Sequence, residues 1–127
     1  MRKSFPDRIF KIWDYAVGMK QLLIRSSTLG KENIDLIFYG VSYLDCPMLF
    51  RGLAIDDATE QENIYFRDRK IDIDDPLKLH VLVSLEKRYF IVSTKDIILY
   101  RNKMDYTESS LDKVDTSVGV TGKIERF

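Results

Sequence analysis

Residues 33–55 read NIDLIFYGVSYLDCPMLFRGLAI, and how they are read decides the fold. Ile34, Leu36 and Phe38 occupy alternate positions, the period of a strand with one buried face. At Gly40 the apolar positions slip by one and continue at Val41 and Tyr43. Glycine inside a strand pattern marks a bulge or tight bend, and one extra residue there returns Val41 and Tyr43 to the face of Ile34, Leu36 and Phe38. Cys46-Pro47 stops the run, because proline offers the ladder no N–H and drives its predecessor into an extended or turn conformation. Phe50 to Ile55 is short, apolar and closed by Asp56-Asp57, which makes it the return strand of the same sheet.

Upstream, Ile9 to Ser27 admits two readings. Ser4 and Asp7 as caps, Pro6 in a first turn, and Ile9, Ile12 or Trp13, Ala16 and Leu23 near helical spacing suggest a helix. Gly18 in the middle, with Phe10, Ile12, Tyr15, Val17, Leu22 and Ile24 around it, favours a hairpin. The hairpin is the reading adopted, turning at Val17-Gly18-Met19 between strands from about Ile9 to Val17 and from about Lys20 to Ser27. Ser26 to Asn33 then supplies the turn residues that lead into the central strand.

Downstream, Ala58 to Asp75 is strongly charged, with Ile64, Tyr65, Phe66, Ile71 and Ile73 as its apolar anchors. It reads as a long excursion holding at most one irregular edge strand near Asn63 to Arg67. After Pro76, Leu79 to Glu86 alternates cleanly: Leu79, Val81, Val83 and Leu85 on one face, His80, Leu82, Ser84 and Glu86 on the other. A tight turn at Glu86-Lys87 predicts a hairpin with Arg88 to Thr94, pairing Val83 with Phe90 and Val81 with Val92. Ile97 to Tyr100 is a further short strand, Thr107 to Asp112 reads as one helical turn capped by Thr107, and a loosely held tail is expected from about residue 113.

The whole is expected to be a single all-β domain of about seven mostly antiparallel strands, in a partly closed barrel or two-layer sandwich with little helix. The 127 residues fit one core, and a hydrophobic fraction of 45% with 31% charged residues is that of an ordinary globular chain. Twenty Lys/Arg balance twenty Asp/Glu, but unevenly. Residues 1–31 carry seven Lys/Arg against Asp7 and Asp14, whereas residues 45–75 carry nine acids against Arg51, Arg67, Arg69 and Lys70. No apolar run approaches the ~20 residues that span a bilayer, and Ser4, Pro6, Asp7 and Arg8 interrupt what a signal peptide would need as its apolar region. With Cys46 as the one cysteine, a reducing compartment is expected, the cytoplasm by default.

The chain is poorly equipped for most chemistry. Cys46 and His80 lie more than thirty residues apart and do not make a thiolate zinc site. Counted from Asp72, an EF-hand would need glycine and glutamate where Leu77 and Val83 stand. His80 is the one imidazole available to a nucleophile; Ser84 is ~13 Å along its strand, and Ser93, opposite it in the expected register, lacks an identifiable acid and oxyanion site. A Walker loop at Gly122-Lys123 fails at Ser117 and Ile124. Arg88-Tyr89-Phe90-Ile91-Val92 lacks the glycines of an RNA-recognition strand, and the balanced net charge argues against nucleic acid. No cofactor or metal is expected.

Tyr15-Ala16-Val17, Leu22-Leu23-Ile24-Arg25-Ser26 and Asn33 to Val41 resemble a block pattern in small bacterial proteins of uncharacterised function. The resemblance covers roughly the first half of the chain and carries no active residue. In size and in its want of a catalytic motif the chain is also similar to immunity proteins of bacterial toxin systems, a similarity that implies a protein partner.

The expected activity is therefore non-enzymatic protein binding, with a small-molecule or enzymatic site in the acidic 56–75 region as the alternative. Asp56, Asp57, Glu60 and Glu62 on one side and Asp72, Asp74 and Asp75 on the other are expected to flank one loop, with Tyr65 and Phe66 between them as aromatic anchors. An exposed edge strand would offer a second copy of the chain a place to pair.

Overall fold

The computed structural model describes residues 1–111 and 124–127. The described residues form nine strands and one helix: β1 Lys3–Ala16, β2 Gln21–Ser26, β3 Asn33–Phe38, β4 Tyr43–Asp45, β5 Leu49–Asp57, α1 Glu60–Asp68, β6 Leu77–Ser84, β7 Lys87–Thr94, β8 Ile97–Asn102 and β9 Ile124–Arg126. All nine strands join one antiparallel sheet in the order β4-β7-β6-β5-β1-β2-β3-β8-β9. The protein is all-β with little helix, as its alternating patterns predict. Among the described residues there are nine strands where about seven were expected, and their sheet is not closed into a barrel.

The sheet is bent at β1, which pairs with β5 on one side and β2 on the other. Two irregularities make the bend. Phe5 faces Leu53 and Ile9 faces Arg51, so Pro6, Asp7 and Arg8 together oppose Gly52. Gly52 has φ +73°, and a Cβ there would lie 3.0 Å from the Pro6 carbonyl oxygen, a place that only glycine fills without strain. Pro6, whose missing N–H a helix start would have tolerated, serves instead at this bulge. Between Ile12 and Asp14 the register with β2 also slips by one residue, at Trp13.

Bending brings the halves of the sheet face to face. Phe10, Phe50, Leu53, Ile55, Leu82 and Ile91 from one half meet Leu22, Ile24, Ile34, Leu36, Phe38, Ile97 and Leu99 from the other in the main core. The outer face of β2, β3 and β8 is also covered. Leu23, Ile37 and Ile98 pack there with Leu111, and Arg25 forms a buried bidentate pair with Asp35 at 2.6 and 2.9 Å. Arg25 also donates to the Glu108 carbonyl at 2.7 Å, and Asn33 to that of Met104 at 2.8 Å. These bonds satisfy the buried charges and tie residues 104–111 across the sheet.

The 9–27 hairpin forms as read, with β1 starting earlier, at Lys3. Elsewhere the structure corrects the sequence reading. Gly40 does not bulge a continuous strand: with φ +62° it turns the chain from β3 into β4, which pairs with β7. Val41 stays in the main core, but Tyr43 faces the other side, against Phe66. β5 belongs to the same sheet yet pairs with β1 and β6, not with its predecessor.

The β6–β7 hairpin turns one residue earlier than expected, at Leu85-Glu86, both with positive φ (50° and 65°). Its register therefore differs by two: Val83 faces Arg88 and Val81 faces Phe90. A two-residue shift preserves which side chains share a face, so the alternation could not reveal it. It does separate His80, which faces Ile91, from Ser93, which faces Lys78.

Residues 107–111 form no helical turn; Asp112 lies outside the described residues. Most of the loose tail expected from about 113 also lies outside them, but its end differs from that expectation, since Ile124–Arg126 pairs with β8 and Phe127 exchanges backbone hydrogen bonds with Ile97 at 2.7 and 3.0 Å.

Candidate functional site

The 58–75 excursion holds a helix where at most an irregular strand was expected. Thr59 is its N-cap: the hydroxyl accepts from the Glu62 amide at 3.1 Å while the Glu62 carboxylate accepts from the Thr59 amide at 2.9 Å. This reciprocal box satisfies two amides that a helix start leaves unpaired. The spacing Thr59-x-x-Glu62 was the available signal, hidden by the scarcity of apolar residues around it. Phe66 is the one side chain that α1 buries; it packs on Ile73, Leu79 and Val92 and so pins the helix to the outer face of β6 and β7.

Phe66 is the hub of an aromatic cluster. Its ring lies 5.3 Å from Tyr43, 5.1 Å from Phe90 and 5.6 Å from Tyr65, in tilted or edge-on arrangements that suit aromatic quadrupoles. Tyr65 itself is 51% exposed, with the Arg69 guanidinium over its ring. A cleft of about 510 Å³ opens beside this cluster, between α1 and the β4–β7 edge; Asp45, Glu62 and Arg88 are its charged lining.

Arg88 commits four of its five N–H donors. It donates to both Glu62 oxygens at 2.8 and 2.7 Å, to Asp56 at 3.1 Å and to the Asp57 carbonyl at 3.3 Å. These bonds hold Asp56 and Glu62 below the usual carboxylate range and raise the Arg88 pKa further. Asp57 is likewise held low, chiefly by Lys78 at 3.1 Å. Asp45 makes no ion pair or side-chain hydrogen bond among the described residues, although it lines the same cleft.

The expected acidic residues thus divide. Asp56, Asp57 and Glu62 gather around Arg88, Arg2 and Lys78, and Glu60 lies exposed in the first turn of α1. Asp72 accepts from the Asp74 amide, Asp74 meets Arg67 at 3.5 Å, and Asp75 meets Lys95 at 2.5 Å. Neither Asp72, Asp74 nor Asp75 lines the cleft. Of the two aromatics, Tyr65 is half-exposed, whereas Phe66 is 2% exposed and packs in the core at the base of the cleft it lines. Tyr43, Asp45, Arg88 and Phe90 are the cleft residues that sequence reasoning missed, because strand pairing β4–β7 brings them there from distant parts of the chain.

His80 is fully buried and its ring nitrogens are both occupied, Nδ1 by an Arg2 guanidinium N–H at 2.8 Å and Nε2 by the Thr94 carbonyl at 2.8 Å. Burial lowers its pKa to about 4. The ring is therefore neutral near neutrality, donating from Nε2 and accepting at Nδ1. Cys46 is half-buried, and burial pushes its thiol up to about 11, away from the range of a reactive thiolate. No group of three or more His, Cys, Asp or Glu among the described residues is placed to hold a metal ion, and no described helix is long and apolar enough to cross a membrane. No family model, curated protein or solved structure matches the chain.

Proposed function

We propose that the protein is a non-enzymatic binding module whose partner is another protein, docking on the cleft between α1 and the β4–β7 edge. The observation that carries this reading is Tyr65: a half-exposed ring packed edge-on against a buried Phe66, at the lip of an aromatic cleft. Preordered aromatic side chains offer contact area at small entropic cost, and such residues dominate binding energy at interfaces. Among the described residues both edge strands are three residues long, too short to give a second copy much backbone to pair with, which favours docking through side chains. Within this class the reading extends to a toxin-neutralising role, in line with the similarity of type noted above. A chain with one cysteine suits the cytoplasm as its compartment.

The test is affinity capture with the wild-type protein and with Tyr65→Ala, each checked for an unchanged melting temperature. A protein retained by the first and lost by the second supports the reading. The second reading, a small-molecule site, draws on the cleft volume of about 510 Å³, which falls in the range of ligand pockets. A metabolite or metal that raises the melting temperature strongly in a thermal-shift screen would replace the first reading with the second.

A further inference from the structure

The geometry points to a basic side chain, lysine or arginine, as the group that a partner protein inserts into the α1–β7 cleft; this inference rests on the docking role just proposed. The charges that line the cleft favour a cation. Arg88 is poorly placed to serve an anion, because four of its five guanidinium N–H donors are committed to Glu62, Asp56 and the Asp57 carbonyl and two carboxylates already offset its charge. Asp45, on β4 across the cleft from α1, is exposed and has no partner among the described residues. With Glu62 and Asp45 against Arg88, the lining carries one net negative charge.

The walls suit the same occupant. Tyr43, Tyr65 and Phe90 offer ring surface on which an aliphatic stem packs, and π faces that attract a cationic head. Tyr65 already behaves in this way toward its own chain, since the Arg69 guanidinium carbon lies 3.3 Å from the ring centroid. An acidic side chain would meet Asp45 and Glu62, with Arg88 already paired to two carboxylates. A purely apolar one would leave Asp45 unpaired at the mouth.

The experiment is an NMR titration of the isotope-labelled protein with four short Gly/Ser peptides that differ at one central residue: arginine, lysine, norleucine or glutamate. Arginine and lysine peptides are expected to shift the amides of Tyr43, Asp45, Tyr65 and Phe90, with the glutamate peptide silent. Asp45→Asn is expected to weaken the basic peptides roughly two- to fivefold without changing the melting temperature, as is a tenfold rise in salt. Equal shifts with the norleucine peptide would overturn cation selection and leave the cleft an apolar docking groove. Silence from all four peptides, or shifts confined to other surfaces, would overturn the inference. If capture by the wild type and loss by Tyr65→Ala still hold in that case, the docking role survives and only the occupant is wrong.

Discussion

Phe38 and His80 meet edge to ring at 6.0 Å although three strands lie between β3 and β6 in the order of the sheet. Four inter-strand steps in a flat sheet would hold them ~19 Å apart. The contact therefore measures how completely the sheet folds over at β1, and it places the one imidazole against the core, where its neutral form is required.

The pH dependence of stability follows from that placement. His80 binds a proton in the unfolded chain below its ordinary value of 6.5 but not in the folded one until about pH 4. The unfolded state thus holds more protons across this window, and stability falls as pH drops from about 6.5 to 4, by up to about 3 kcal/mol. Asp56, Asp57 and Glu62, held low by their cationic partners, lose their contributions only at lower pH, as they protonate. Urea unfolding at stepped pH should show the upper slope in the wild type and its absence in His80→Gln.

Phe66 and Tyr65 should separate cleanly. Phe66→Ala removes the only side chain α1 buries and is expected to cost about 3–5 kcal/mol in chemical denaturation. Tyr65→Ala should cost about 1 kcal/mol or less, since half the ring already faces water. Equal losses would place both residues in the core and remove Tyr65 as a docking group.

Arg25 and Asp35 are both 0% exposed, so neither tolerates the loss of the other. Asp35→Ala should destabilise by about 3–5 kcal/mol, because it leaves a buried guanidinium uncompensated. The double variant Arg25→Met, Asp35→Leu should lose less than that single change. Hydrogen exchange offers a second measurement: the amides of residues 104–111, tied to this pair through the Glu108 and Met104 carbonyls, should exchange faster in Asp35→Ala.

Leu85 and Glu86 form a two-residue turn with both φ positive, the geometry that Asn-Gly prefers. Leu85 is 70% exposed, so its replacement leaves the core intact. Leu85→Asn with Glu86→Gly is expected to raise stability by about 1 kcal/mol, or ~3–5 °C in melting temperature. A lower melting temperature would show that the leucine contributes more than its turn geometry costs.

The same turn shows where the sequence stops being legible. Leu85 continues a faultless alternation, and nothing in a period of two distinguishes a last strand residue from a turn residue of the same polarity. The 9–27 hairpin was readable because Gly18 interrupts two β-branched and aromatic runs. Helix α1 was not, since its anchoring is concentrated in Phe66 and its start is announced only by Thr59 and Glu62. The buried Arg25–Asp35 pair was not legible, because an alternation with Ile34, Leu36 and Phe38 on one buried face leaves Asp35 on the other, while β2 and β3 are buried along both. The cleft could not be read at all, for its walls come together only when β4 finds β7.

That double burial of β2 and β3 has a consequence in time. Leu36 pairs with Leu99, and Phe10 with Phe50, so neighbours in the finished sheet are synthesised far apart. Chains dominated by such distant pairings fold on the scale of ~milliseconds to seconds, whereas hairpins such as β1–β2 and β6–β7 close in ~microseconds. In the interval, β2 and β3 keep an unpaired edge until β8 arrives, and apolar faces that the β5–β7 half of the sheet and Leu111 later cover. Misassembly competes with folding during that wait, and substitutions in β8 that slow its capture by β3 will lower soluble yield before they lower the stability of the protein that does fold.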